Sequence, residues 1–149
     1  MAISGVLVAV GTVDFYTQEI PDIFHLVLAP LAVAALWVFP EVTLGPRLIG
    51  VFAVSVPMLG LALVKEGAFG GGDIKLMAVC GFLLGWQQSL FAFFFAVLLG
   101  GGTAVYLLAA GKAERGQRMA FGPALCAGVF AAVLWGADAV AWYTGLLLF

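Results

Sequence analysis

Two aspartates stand where the chain is otherwise apolar. Asp14 closes the hydrophobic run Met1 to Val13, and Asp73 follows three glycines in Lys65-Glu66-Gly67-Ala68-Phe69-Gly70-Gly71-Gly72-Asp73-Ile74-Lys75, a polar interruption between two long apolar runs. A carboxylate near bilayer hydrocarbon costs about 2.5–3.5 kcal/mol on insertion scales, which makes each a functional-site candidate. Two carboxylates about 3 Å apart cannot both ionise and instead share a proton; one can then activate water while the other polarises a scissile carbonyl. Aspartyl proteolysis of this kind needs no metal and no nucleophilic side chain, and no cofactor is expected. Gly70 and Gly72, lacking a Cβ, would let an extended peptide approach Asp73. On that reading a Cβ at Gly72 harms catalysis more than folding, and a Cβ at Gly100 does the reverse. The alternative role for Asp14 and Asp73 is that they only cap helix ends, a common use of Asp.

The elements that must position these residues follow from composition. Of 149 residues, 64% are hydrophobic and 9% charged, against about 25% charged in globular chains. An all-α, polytopic membrane protein is predicted, as a single membrane-embedded domain over residues 1–149 in contact with the lipid bilayer. The net charge of -2 says little about partners, and no basic patch points to a nucleic acid. Met1 to Val13 has no positive n-region and leads into an acidic stretch, so it reads as a retained span. Cys80 and Cys126 lie in apolar segments, too few for a cysteine metal site, and read as small buried hydrophobes.

Six candidate spans result, over residues 1–18, 23–40, 48–64, 71–88, 89–110 and 119–140. The breaks fall at Glu19-Ile20-Pro21-Asp22, Glu41 to Arg47, the glycine-rich stretch, Gln87-Gln88, and Gly111 to Arg118. The run from Met119 to Phe149 reads as one helix with an interfacial tail. Odd-numbered breaks carry Lys65, Lys75, Lys112, Arg115 and Arg118, and even-numbered ones only Arg47. The positive-inside rule then places the odd breaks in the cytoplasm and both termini outside. The run before Asp14 is about 20 Å long at 1.5 Å per residue, and that from Asp73 to Trp86 is similar. Each helix must therefore include its aspartate to span, which brings both carboxylates to one depth near the cytoplasmic face.

Gly70-Gly71-Gly72-Asp73 resembles the G-x-G-D motif of membrane aspartyl proteases, and Gly-Gly-Gly-Asp-Ile-Lys-Leu resembles its form in type IV prepilin peptidases. In that family the first catalytic Asp lies six residues before an Ile-Pro-Asn; here Asp14 stands at that offset from Ile20-Pro21-Asp22. Phe121-Gly122-Pro123-Ala124-Leu125 is similar to the family's proline-containing entry to its last helix. Three motifs in order make a specific match. The resemblance implies a bacterial inner-membrane protease, with Asp14 and Asp73 catalytic and Ile20, Pro21, Gly70, Gly72, Lys75, Gly122 and Pro123 shaping the site. Its substrate would be a prepilin or pseudopilin with a basic leader. The length resembles the short Flp/Tad-type form, for which N-methyltransferase activity is not expected.

Asp22 departs from the family's Asn, and Thr17, Gln18 and Glu19 stand where relatives often carry Arg; that acidity would act on the aspartates or on a basic leader. Lys75 reads either as a cation beside the two aspartates or as a snorkelling anchor, and His25 as a structural residue, or as one that tunes the loop or serves as a proton donor. Asp138 is assigned to the opposite interface, and Gly100-Gly101-Gly102 to close helix packing. The competing reading is a small ion- or proton-coupled transporter subunit using the same carboxylates. Both carboxylates near one face, and no internal repeat relating residues 1–64 to 71–149, weigh against it.

Overall fold

The computed structural model describes residues 2–17, 20–38, 40, 42–64, 69–112 and 121–147. They form six helices: α1 (Ala2–Thr17), α2 (Asp22–Val38), α3 (Leu44–Val64), α4 (Gly71–Leu84), α5 (Trp86–Ala109) and α6 (Gly122–Leu147). The class is all-α, as expected. Three of the helices, α3, α5 and α6, are long and apolar enough to cross a membrane on their own. The other three have 16, 17 and 14 residues, about 21–26 Å of helix, a little short of about 30 Å of hydrocarbon.

The interior is built from small side chains and the exterior from large apolar ones. Ala32, Ala35, Ala92, Ala96 and Ala132 are buried, while Trp37, Phe52, Phe94 and Trp142 are exposed. A soluble protein would not leave so many aromatics in water. In lipid the arrangement is the favourable one, because small residues let helices approach closely and large ones face hydrocarbon. A close crossing joins α3 to α4 at Gly50 and Gly81, where a Cβ on Gly50 would stand 2.8 Å from the Gly85 carbonyl carbon. Around it α5 packs along α6, α1 along α6, and α2 along α4.

Three details differ from the sequence reading. The break between the fourth and fifth helices lies at Gly85, not at Gln87-Gln88. Gly85 has φ 80°, which only glycine adopts at low cost, and its N–H and carbonyl serve the end of α4 and the start of α5 together. Backbone geometry there outweighs the polarity of the glutamines, which simply enter the first turn of α5. The last helix has no separate tail within the described residues, running unbroken from Gly122 to Leu147. Of the cations used for orientation, Lys65, Arg115 and Arg118 lie outside the described residues, as do Gln18 and Glu19.

Arg47 is the third. It is not a loop residue but lies in the first turn of α3, fully buried. Its guanidinium donates to the carbonyls of Val42 (2.9 Å), Phe82 (3.1 Å), Leu83 (2.9 Å) and Ala35 (3.0 Å). Phe82 and Leu83 end α4, and Ala35 lies in the last turn of α2. These are the carbonyls that a helix end leaves without partners, and a cation also suits the negative pole there. Arg47→Met removes those donors, at about 1–3 kcal/mol for each acceptor left buried and unsatisfied. It is expected to lower Tm in detergent by about 8 °C or more, with Arg47→Lys recovering only part because one ammonium cannot serve the same fork of carbonyls. An unchanged Tm in Arg47→Met would show that those carbonyls do not depend on the guanidinium.

Candidate active site

The site begins with the starts of two helices. Gly70 is the residue before α4, extended at φ -72° and ψ 147°, and its carbonyl accepts from Ile74 N–H at 3.3 Å. Asp73 sits three residues on, so its carboxylate turns back and Oδ2 accepts the Gly70 N–H at 3.3 Å, as acidic residues at the third helical position do. Phe121 stands in the same relation to α6, its carbonyl accepting from Leu125 N–H at 3.0 Å. Phe121 has no side-chain acceptor to offer the new helix, and Pro123 has no N–H to satisfy. The Gly122 N–H is instead taken by Asp14 of α1, with Oδ2 at 3.0 Å. Both aspartates thus cap helix starts, Asp73 its own helix and Asp14 a helix more than 100 residues away.

Those two helix starts are held together by the residues that precede them. The rings of Phe69 and Phe121 pack edge to face with centroids 5.3 Å apart, and Phe93 of α5 lies 6.3 Å from Phe69. A Cβ on Gly100 would strike the Phe121 ring, so α5 gives way where the ring sits; Gly101 and Gly102 face open space. The packing role expected of all three glycines therefore belongs to Gly100. The repeated Phe-Gly dipeptide at 69–70 and 121–122 is the signal from which this pairing could have been read.

Asp14 and Asp73 are 4% and 6% exposed, so both carboxylates are withdrawn from solvent. They lie close enough for the charge of Asp14 to act on Asp73, and Cys126 of α6 is near both. Each carboxylate has one oxygen anchored by a helix-start amide. Asp73 Oδ1 is buried and makes no hydrogen bond among the described residues. A furrow of about 460 Å³ runs between α1 and α6, lined by Gly11, Pro123 and Cys126 and by the exposed Val8 and Phe15, with neither aspartate in its lining.

The site-shaping residues divide. Ile20 and Pro21 lead into α2, and Phe24 N–H closes a turn on the Pro21 carbonyl at 3.1 Å. Ile20 packs on Gly72: a Cβ there would stand 2.9 Å from Ile20 Cβ and 3.3 Å from its carbonyl oxygen. The bare face of Gly72 is thus filled by the chain itself, which corrects the expectation that it admits a peptide and that a Cβ there would spare folding. Gly71 faces open space, and Gly70 meets only the Asp73 carboxylate. Lys75 pairs with Asp22 at 2.7 Å on the surface, so the departure from Asn supplies a partner for Lys75. His25 is buried, with Nε2 3.0 Å from the Gly72 carbonyl oxygen. Asp138 is exposed on α6, about 24 Å along the helix from Gly122, outside the site.

Fold and site together define an α-helical membrane protein carrying a pair of buried, helix-capping aspartates. The chain belongs to the type IV leader peptidase family, whose profile matches residues 1–105. It is 32% identical over 142 residues to a prepilin leader peptidase/N-methyltransferase of Bacillus subtilis (strain 168), an alignment covering 95% of this chain and 57% of that protein. Proteins of the same name from Aeromonas hydrophila (28% over 148 residues, 96% and 51% covered) and Pseudomonas aeruginosa (32% over 135 residues, 87% and 47% covered) are also similar. The chain thus spans about half the length of the curated relatives it matches. No solved structure matches.

Gly122 is the sharpest test of this geometry, because a Cβ there would fall 2.6 Å from the Asp14 carboxyl carbon. Gly122→Ala must expel the carboxylate from its amide, and Gly72→Ala must push Ile20 away. Both are expected to lower Tm in detergent, whereas Gly71→Ala, at an open helical position, is expected to leave it unchanged or raise it by about 1–3 °C. Equal Tm values for all three variants would contradict the packing described.

Proposed function

We propose that the chain is a membrane aspartyl endopeptidase that removes the basic leader from type IV prepilin-like substrates of the Flp/Tad type. Cleavage would occur at the cytoplasmic face of the bacterial inner membrane, with Asp14 and Asp73 as the water-activating pair. The observation that carries this reading is the pair itself: two buried carboxylates from distant parts of the sequence, each held by one oxygen at a helix start.

A carboxylate so held keeps its second oxygen for chemistry. In the proposed step, one aspartate takes a proton from water as the water oxygen bonds to the scissile carbonyl carbon. The other, protonated, donates to the carbonyl oxygen. Collapse of the tetrahedral intermediate breaks the C–N bond, and a proton passes to the leaving nitrogen, restoring the starting protonation of the pair. The buried Asp73 Oδ1, without a hydrogen-bond partner among the described residues, supports its use toward water or substrate. The furrow between α1 and α6 supports lateral approach of a substrate that is itself largely membrane-embedded. Names of the relatives support prepilin as the substrate class, and the lysine and arginine distribution supports a cytoplasmic position for the leader.

The relatives' names also include N-methyltransferase. The family profile matched here is that of the leader peptidase, and the proposal is confined to leader cleavage. A transporter using the same carboxylates would need them on a path through the membrane; capping of two adjacent helix starts favours the peptidase.

Asp14→Asn and Asp73→Asn are each expected to lower cleavage of a prepilin-like peptide by at least about a hundredfold, with the protein still inserted and folded and with no effect of a chelator on the wild type. Near-normal cleavage by either variant would remove the aspartyl mechanism. A cysteine introduced between Gly111 and Arg118 is expected to label from the cytoplasmic side. Labelling from the other side would part the site from a cytoplasmic leader.

A further inference from the structure

Three contacts tie Ile20 and the first turn of α2 to the start of α4, and they differ in weight. The outermost is the Asp22–Lys75 pair, whose side chains are 75% and 60% exposed; such surface pairs contribute little. The second is the packing of Ile20 on Gly72. The innermost is His25 Nε2 at 3.0 Å from the Gly72 carbonyl oxygen, between residues 47 apart in sequence. A carbonyl can only accept, so Nε2 carries the hydrogen in this bond. The carbonyl has two lone pairs and can receive the imidazole as well as its own helical partner.

Gly72 immediately precedes Asp73, and Ile20 follows Asp14 by six residues. The residues that grip α4, Ile20 and the first turn of α2, therefore follow the helix of the first aspartate, and the grip falls on the residue next to the second. Taking the peptidase reading as its basis, we propose that His25 is a positioning residue. Its bond to the Gly72 carbonyl fixes the first turn of α4, and with it the Asp73 carboxyl, against the start of α2, the helix that follows the one carrying Asp14. The substrate does not need to touch His25 for this. His25 Nδ1 has no hydrogen-bond partner among the described residues and lies 3.8 Å from Asp22 Oδ1, so the ring's one short polar contact there is with the residue beside Asp73.

A positioning role predicts a particular kinetic pattern. His25→Leu keeps apolar volume and removes the donor, while His25→Gln returns an N–H at about the reach of Nε2. Expected for Leu is a loss of about tenfold or more in kcat for a prepilin-like peptide, as for one lost positioning contact, with KM and Tm nearly unchanged; Gln is expected to recover most of the rate. A wild-type kcat for His25→Leu overturns the proposal, as does a loss that follows Tm and is not rescued by Gln. Should the Leu variant not fold, the protein's single histidine gives a second measurement. The ¹⁵N imidazole spectrum of the wild type is expected to show one tautomer, with Nε2 protonated and slowly exchanging. A rapidly exchanging ring or an Nδ1-protonated tautomer contradicts the proposal. Asp73→Asn in the same assay separates the two ideas: if it cleaves, the peptidase mechanism fails; if it is inactive while His25→Leu is normal, only the role of His25 fails.

Discussion

A helix end withdrawn from water must find its hydrogen-bond partners within the chain, since unsatisfied backbone groups cost several kcal/mol in hydrocarbon. Much of this structure follows from that constraint. Three buried charged side chains meet it, and each has the sign the helix pole requires. Asp73 takes an amide at the start of α4, Asp14 one at the start of α6, and Arg47 takes carbonyls at the ends of α2 and α4. The aspartates gather at one end of α4 and the arginine at the other, so that short helix is held at both ends by charge.

Capping and catalysis are often treated as rival explanations for a buried aspartate, yet under the proposed mechanism one geometry serves both. A carboxylate has two oxygens. When a helix-start amide holds one, the group is fixed in orientation and its charge is balanced by a local dipole, while the other oxygen stays available. Preorganised groups of this kind do not have to reorganise when reaction begins. The aromatic contact between Phe69 and Phe121 extends the logic from single residues to helices, because joining the residues ahead of two helix starts brings together the aspartates that cap them.

Packing supplies the rest of the precision. With Gly50 against Gly81, Gly72 against Ile20, Gly100 against Phe121 and Gly122 against Asp14, backbone, an aliphatic side chain, a ring and a carboxylate occupy the space a Cβ would need. Lipid provides no hydrophobic drive between helices, so close van der Waals approach has to replace it. The glycines around the site are accordingly filled by the chain, and Gly71, which is not, is free of any such demand.

The sequence by itself determined the class and the family. Hydrophobic runs separated by short polar breaks gave six helices in a membrane protein, because apolar length is a local property that lipid reads directly. The two aspartates were legible because charge in such runs is costly, and the spacing of Asp14, Ile20-Pro21 and the glycine motif marked the family. What only the tertiary structure decided were the partners of these residues. Nothing near Asp14 in sequence points to Gly122, and Arg47, beside Pro46 in a polar break, read as a loop cation although it is fully buried. The bare face of Gly72 looked open to a substrate until Ile20 was found against it. In each case the deciding contact joins residues far apart in the chain, and its strength depends on burial, which no local pattern of residues records.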